Sequence, residues 1–93
     1  MRIDLDAREV TLFGAVIDLT RTEFDILAAM IERPRAALTR RQLIEAVWGP
    51  DWYGDEHVVD VHVGHLRTKL GDDASEPHFI RTVRGVGYGM ATS

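Results

Sequence analysis

Cysteine is missing altogether from the 93-residue sequence. That excludes disulfides and thiolate metal sites and fits a reducing compartment. Long apolar runs are missing too. Nothing approaches the ~20 residues needed to cross a bilayer, and Met1 leads straight into the alternating Arg2-Ile3-Asp4-Leu5 with no signal peptide in view. These absences point to the cytoplasm and away from membranes. The chain also lacks a basic excess: its net charge is −4. There is no nucleophile beside a base, no phosphate-cradling loop and no pair of carboxylates on an apolar wall. No enzyme activity and no cofactor are therefore expected.

What is present reads as a globular domain spanning residues 1–93, with 45% hydrophobic and 28% charged residues. Arg2 to Leu5, Glu9 to Leu12 and Ala15 to Leu19 alternate as strands of a small antiparallel meander. Thr20-Arg21-Thr22-Glu23 is a capping box, in which each end accepts from the other's backbone amide. It opens a helix with Phe24, Leu27, Met30 and Ile31 on one face, bounded by Pro34. Ala36 to Leu38 fits only a bridging strand. Thr39-Arg40-Arg41-Gln42 is a second capping box, and its helix buries Leu43, Ile44 and Val47 before Gly49 and Pro50 end it.

The stretch from Asp55 to Leu70 organises the rest. Val59, Val63, Leu66 and Leu70 recur at i, i+4, i+7 and i+11, the stripe of a helix with one face in a core. The other face carries Val58, Val61, His65 and Thr68, flanked by His57, His62, Arg67 and Lys69. Valine methyls beside imidazoles, a hydroxyl and cations suit a DNA groove, where thymine methyls, base edges and phosphates are met together. After Gly71, a polar loop leads to the strand Phe79 to Arg84, a Gly85-Val86-Gly87 turn and a return strand from Tyr88 to Ala91. Arg81, Thr82 and Arg84 beside the tight turn make a finger that can approach a backbone closely. Arg40 and Arg41 open a helix whose free amides could hold a phosphate. The overall charge opposes a nucleic-acid role, but Arg67, Lys69, Arg81 and Arg84 sit on the helix and hairpin while Asp72, Asp73 and Glu76 are confined to the loop between them.

The expected fold is α+β: a winged helix-turn-helix with an N-terminal antiparallel sheet, three helices and a C-terminal β-hairpin wing. Four blocks carry a resemblance to a known family. They are Leu19-Thr20-Arg21-Thr22-Glu23-Phe24; Thr39-Arg40-Arg41-Gln42-Leu43-Ile44 with Val47-Trp48-Gly49; Val59-Asp60-Val61-His62-Val63 with Leu66-Arg67-Thr68-Lys69-Leu70-Gly71-Asp72-Asp73; and Ile80-Arg81-Thr82-Val83-Arg84-Gly85-Val86-Gly87-Tyr88. In this order the sequence resembles the C-terminal effector domain of OmpR/PhoB-type response regulators, over nearly the whole chain.

The resemblance implies a four-stranded N-terminal sheet, a third helix in the major groove of double-stranded DNA and a wing arginine in the minor groove. It gives Val58, Val61 and His65 base contacts, gives Arg40, Trp48, His57, His62, Arg67, Thr82 and Tyr88 phosphate or sugar contacts, and puts Arg84 in the minor groove. It implies direct-repeat half-sites, a monomeric isolated domain and a full-length protein that is dimeric on DNA through a receiver domain absent from this chain. The loop from Pro50 to Glu56 matches a segment that touches RNA polymerase, making Asp51, Trp52, Tyr53, Asp55 and Glu56 partner candidates. Composition alone favours folding at least one of the two rings back as a lid. The chain departs from the family where two adjacent arginines are common, since it has Gly64-His65, and where His57 and Gly89 replace frequent basic residues.

Two other readings are open. A winged-helix module for protein contact, with weak or no DNA binding, fits the negative charge and the acidic-aromatic loop. A metal site is not expected. His62 and His65 share a side at i, i+3, but Asp60 is rotated away from His65 and His57 lies at the helix start, so no good third ligand is in view.

Overall fold

The computed structural model describes residues 1–91. Three short strands come first: β1 (Arg2–Asp4), β2 (Glu9–Leu12) and β3 (Ala15–Ile17), antiparallel in the order β1-β2-β3. Val10 lies opposite both Ile3 and Ile17. The period of two therefore puts these three side chains on one face, against the core. Among the described residues this sheet has three strands, not the four the resemblance implies, and β3 stops at Ile17, short of Leu19.

Both capping boxes form. At α1 (Arg21–Glu32), the Glu23 amide donates to Thr20 Oγ1 over 3.1 Å, and the Thr20 amide donates to Glu23 Oε1 over 3.0 Å. At α2 (Arg40–Trp48), Thr39 and Gln42 are paired in the same way. The buried arc of α1 is Glu23, Phe24, Ile26, Leu27 and Met30. It is wider than the sequence stripe because α1 packs against α2, α3 and the C-terminal sheet together. Ile26 rather than Ile31 is fully covered.

The third helix, α3 (His57–Leu70), starts two residues later than the sequence pattern suggests. Asp55 accepts the His57 amide from outside the helix, over 2.9 Å. Gly71 ends α3 in the left-handed conformation. The chain then forms β5 (Ile80–Val83) and β6 (Gly87–Met90), which pair as the hairpin. The bridging strand β4 (Leu38–Thr39) adds to the other edge of β6, giving the order β4-β6-β5. The core lies between α1, α2, α3 and this sheet. Leu27, Met30, Leu43, Ile44, Val59, Leu66 and Ile80 are wholly buried in it, each worth roughly 1.5–3 kcal/mol of transfer free energy. No helix among the described residues is long and apolar enough to cross a membrane.

Candidate nucleic-acid interface

The core side of α3 is fixed by Val59, Val63, Leu66 and Leu70, all buried. The opposite side must then face solvent, and His57, Val61, Gly64, His65 and Thr68 are exposed along it. Val61 leaves 46% of its surface to solvent, an apolar crest on a polar helix. Val58 does not join it. It sits on the shoulder of the stripe, half-buried against the core. Thr68 donates its hydroxyl to the Gly64 carbonyl over 3.0 Å.

One carboxylate organises the flank of α3 nearest the wing. Asp60 Oδ1 accepts from Arg40 Nε over 2.8 Å and from the Tyr88 hydroxyl, while Oδ2 lies 2.9 Å from His57 Nδ1. Burial raises the Asp60 pKa, but the bonds from Arg40 and Tyr88 outweigh it and hold the group below the ordinary aspartate value. Burial and the same carboxylate push the Tyr88 phenol up, and the bond to Asp60 raises Arg40. The Tyr88 ring is close to two cations, with the Arg40 and Arg67 guanidinium carbons 5.9 and 5.5 Å from its centroid. Tyr88 is itself buried, so its place is under the interface rather than on it.

Arg67 couples α3 to the wing. Its Nη2 donates to the Ile80 carbonyl over 3.0 Å and to Thr82 Oγ1 over 2.7 Å. Thr82 is therefore exposed but engaged. Beyond it the hairpin turns at Gly85, whose φ of +76° favours glycine. Arg84 stands exposed at this tip, and no protein acceptor is within reach of it among the described residues.

Several cations read from the sequence as DNA contacts have other partners. Arg41 donates to the Pro50 and Trp52 carbonyls over 2.8 and 3.1 Å and so holds the loop before α3. Lys69 turns to α1 and pairs with Glu23 Oε1 at 2.7 Å. Arg81, beside Thr82 on a strand, must point to the opposite sheet face, where it donates to the Met90 and Arg35 carbonyls. His62 leans the other way from the wing, its ring 5.9 Å from that of Trp48.

The loop from Pro50 to Glu56 divides its aromatics. Trp52 stacks on Trp48 at 5.4 Å and lies over Gly54, where an added Cβ would come within 2.4 Å of the ring. Trp52 is thus the lid, which corrects the outward placement implied by the resemblance. Tyr53 is 88% exposed, among the exposed acids Asp51, Asp55 and Glu56.

Two groups matter more here than the sequence reading allowed. Asp60 could be anticipated only as a residue able to orient an arginine or the helix start, and it does both. Glu23 read as a capping residue alone, yet it is 2% exposed and carries the Lys69 ion pair. Burial pushes its carboxyl up, and the bonds from Lys69 and Thr20 bring it below the ordinary value. The fold also brings Glu23 to His62 and His65, with one ligand atom of each within 4.8 Å of the others. The third ligand that the sequence of α3 lacks comes from α1.

Among the described residues, Gly64 has nothing within 4 Å of the position a Cβ would take. Gly64→Ala is therefore expected to stabilise the fold by about 1 kcal/mol through helix propensity. That should raise Tm by roughly 4–8 °C in a thermal melt, and an unchanged or lower Tm would contradict the open space assigned to this face.

Residues 14–90 match the family model described as the C-terminal part of transcriptional regulatory proteins. The chain belongs to this family. The transcriptional regulatory protein PrrA of Mycobacterium tuberculosis is 44% identical over 88 residues, covering 95% of this chain and 37% of that protein. The DNA-binding response regulator MtrA of Mycolicibacterium smegmatis is 46% identical over 88 residues, covering 95% of this chain and 39% of that protein. The chain thus spans well under half the length of these curated relatives. The crystal structure of the Klebsiella pneumoniae RstA DNA-binding domain in complex with the RstA box superposes with a TM-score of 0.86 at 36% identity, covering 96% of this chain and 88% of that one. Membership agrees with the OmpR/PhoB-type resemblance carried by the four sequence blocks. As a transcriptional regulatory C-terminal domain, the chain keeps the family's winged fold. Gly64-His65 falls in the middle of the exposed α3 face.

Proposed function

We propose that this domain is the transcriptional effector of a two-component response regulator and binds double-stranded DNA sequence-specifically, with α3 in the major groove and Arg84 in the minor groove. The observation that carries the reading is the exposed α3 face of His57, Val61, His65 and Thr68, joined through Arg67 and Thr82 to a wing tipped by Arg84, which has no partner among the described residues. The solved RstA complex with its box supports it. Val61 and His65 read base edges, with Val58 at the margin. Arg40, with 42% of its side chain exposed, His57 and Thr82 lie toward phosphates on the wing side with Tyr88 beneath them, and Trp48 and His62 form the opposite rim of α3. With a net charge of −4, a single domain binds weakly. Direct-repeat half-sites and a dimer formed by a receiver domain supply the avidity that one copy lacks. The site of action is then the cytoplasm.

In the same proposal, Asp51, Tyr53, Asp55 and Glu56 face RNA polymerase. The 88% exposure of Tyr53 within an acidic loop favours a protein contact in addition to DNA, since exposed loop aromatics suit interfaces.

The test is selection of this chain against random duplexes at two salt concentrations, followed by sequencing of the bound fraction. An enriched half-site whose affinity falls steeply with salt is expected. No enrichment at low salt, for a folded sample and for a forced dimer, would leave the protein-contact reading in its place.

A further inference from the structure

We propose that Glu23, His62 and His65 form a binding site for a divalent cation of the zinc class, clamping α1 to α3. The set is two imidazoles and a carboxylate, three ligands of the kinds zinc takes in sites that keep a fourth position open. One ligand atom from each already lies within 4.8 Å of the others. A tetrahedral zinc with bonds of about 2.0–2.1 Å needs separations of roughly 3.3 Å, so closure asks for about 1.5 Å of side-chain movement. His65 is exposed and free to supply it, and its ring already meets that of His62 edge-on, at 6.4 Å between centroids.

Two further observations point to a ligand. His62 Nδ1 is buried and has no hydrogen-bond partner among the described residues, a condition native structures rarely leave unresolved. Glu23 is also set up for a cation. Lys69 and the Thr20 amide both go to its Oε1, which leaves Oε2 to a metal. The Lys69 side chain is 35% exposed and can swing to solvent if the two positive charges compete. The fourth position would hold water, as in zinc sites with three protein ligands.

If α3 enters DNA as proposed above, an occupied site draws His65 toward Glu23 and out of the groove, so zinc would weaken duplex binding. The experiment contains no DNA, and its outcome stands apart from that reading. Zinc chloride is titrated calorimetrically into the 93-residue chain in a non-chelating buffer, with His65→Ala, Glu23→Gln and His78→Ala as variants. One zinc per chain is expected. His65→Ala and Glu23→Gln should each weaken binding tenfold or more, and His78→Ala should leave it unchanged. In parallel melts, zinc should raise the Tm of the parent chain but not that of His65→Ala. Because Glu23 also caps α1, a poorly folded Glu23→Gln shifts the decision to His65→Ala, whose site is on the surface. No binding at 1 mM zinc, or parent-like affinity in His65→Ala, would overturn the proposal.

Discussion

Replacing Arg84 by alanine is expected to weaken duplex binding roughly tenfold or more, a loss of about 1–3 kcal/mol. The size follows from how the other cations near the interface are used. Arg40 is paired with Asp60, Arg41 with loop carbonyls, Arg67 with Thr82 and the Ile80 carbonyl, Lys69 with Glu23, and Arg81 with the Met90 carbonyl. Arg84 has no such partner among the described residues and stands at the tip of the wing. A guanidinium in a narrow minor groove gains from the enhanced negative potential there, and on a domain of net charge −4 that gain is hard to replace. Anisotropy titrations over a salt series should show the affinity falling and the salt slope reduced by about one. His57→Ala should cost less, because that imidazole is already tied to Asp60 at 2.9 Å. Equal, negligible losses for both would remove the wing from the interface.

Gly87→Ala is expected to be the most damaging small substitution, lowering stability by about 3 kcal/mol or more. A Cβ there would stand 2.1 Å from the Leu38 carbonyl oxygen and 3.1 Å from both the Leu38 carbonyl carbon and the Thr39 Cα. All three are backbone atoms, so no side-chain rotation relieves the clash. β4 would have to part from β6, where Gly87 opposes Thr39 and Tyr88 opposes Leu38. Leu38 is buried, and Thr39 is the cap of α2, so the disturbance reaches the core and the second helix together. At ~4–8 °C per kcal/mol for a domain of this size, Tm should fall by more than about 12 °C. A loss under 1 kcal/mol would mean that β4 yields without cost.

Much of this architecture is local and therefore readable in the sequence. A capping box is a contact between residues three apart, so Thr20 with Glu23 and Thr39 with Gln42 could be placed without any tertiary knowledge. The stripe of Val59, Val63, Leu66 and Leu70 fixed which way α3 faces, and a glycine-tipped hairpin announced the wing. What escaped is set by packing between distant segments. Lys69 lies at the edge of the exposed α3 face, and only the approach of α1 decides that it serves Glu23. Arg81 and Thr82 are neighbours in sequence but fall on opposite sheet faces, so one turns to the Met90 carbonyl and the other to Arg67. Trp52 and Tyr53 are equally suited to an inner or an outer place. Trp48, one helical end away, selects Trp52 for the inside. Most of the Asp60 cluster escaped for the same reason: Arg40 comes from α2 and Tyr88 from β6, and they meet Asp60 only in the folded chain, whereas His57 is its neighbour three residues away on α3.

The most direct test of the central claim is a residue-resolved amide map of the labelled domain titrated with its selected duplex. If α3 and the wing read DNA, the largest shifts will fall on His57, Val61, Gly64, His65 and Thr68, and on the turn from Arg84 to Val86. The exposed N-terminal sheet and the Tyr53 loop should stay nearly unmoved. Shifts centred on Tyr53 and its acidic neighbours, with α3 and Arg84 silent, would contradict the account and make this winged domain a protein-binding one.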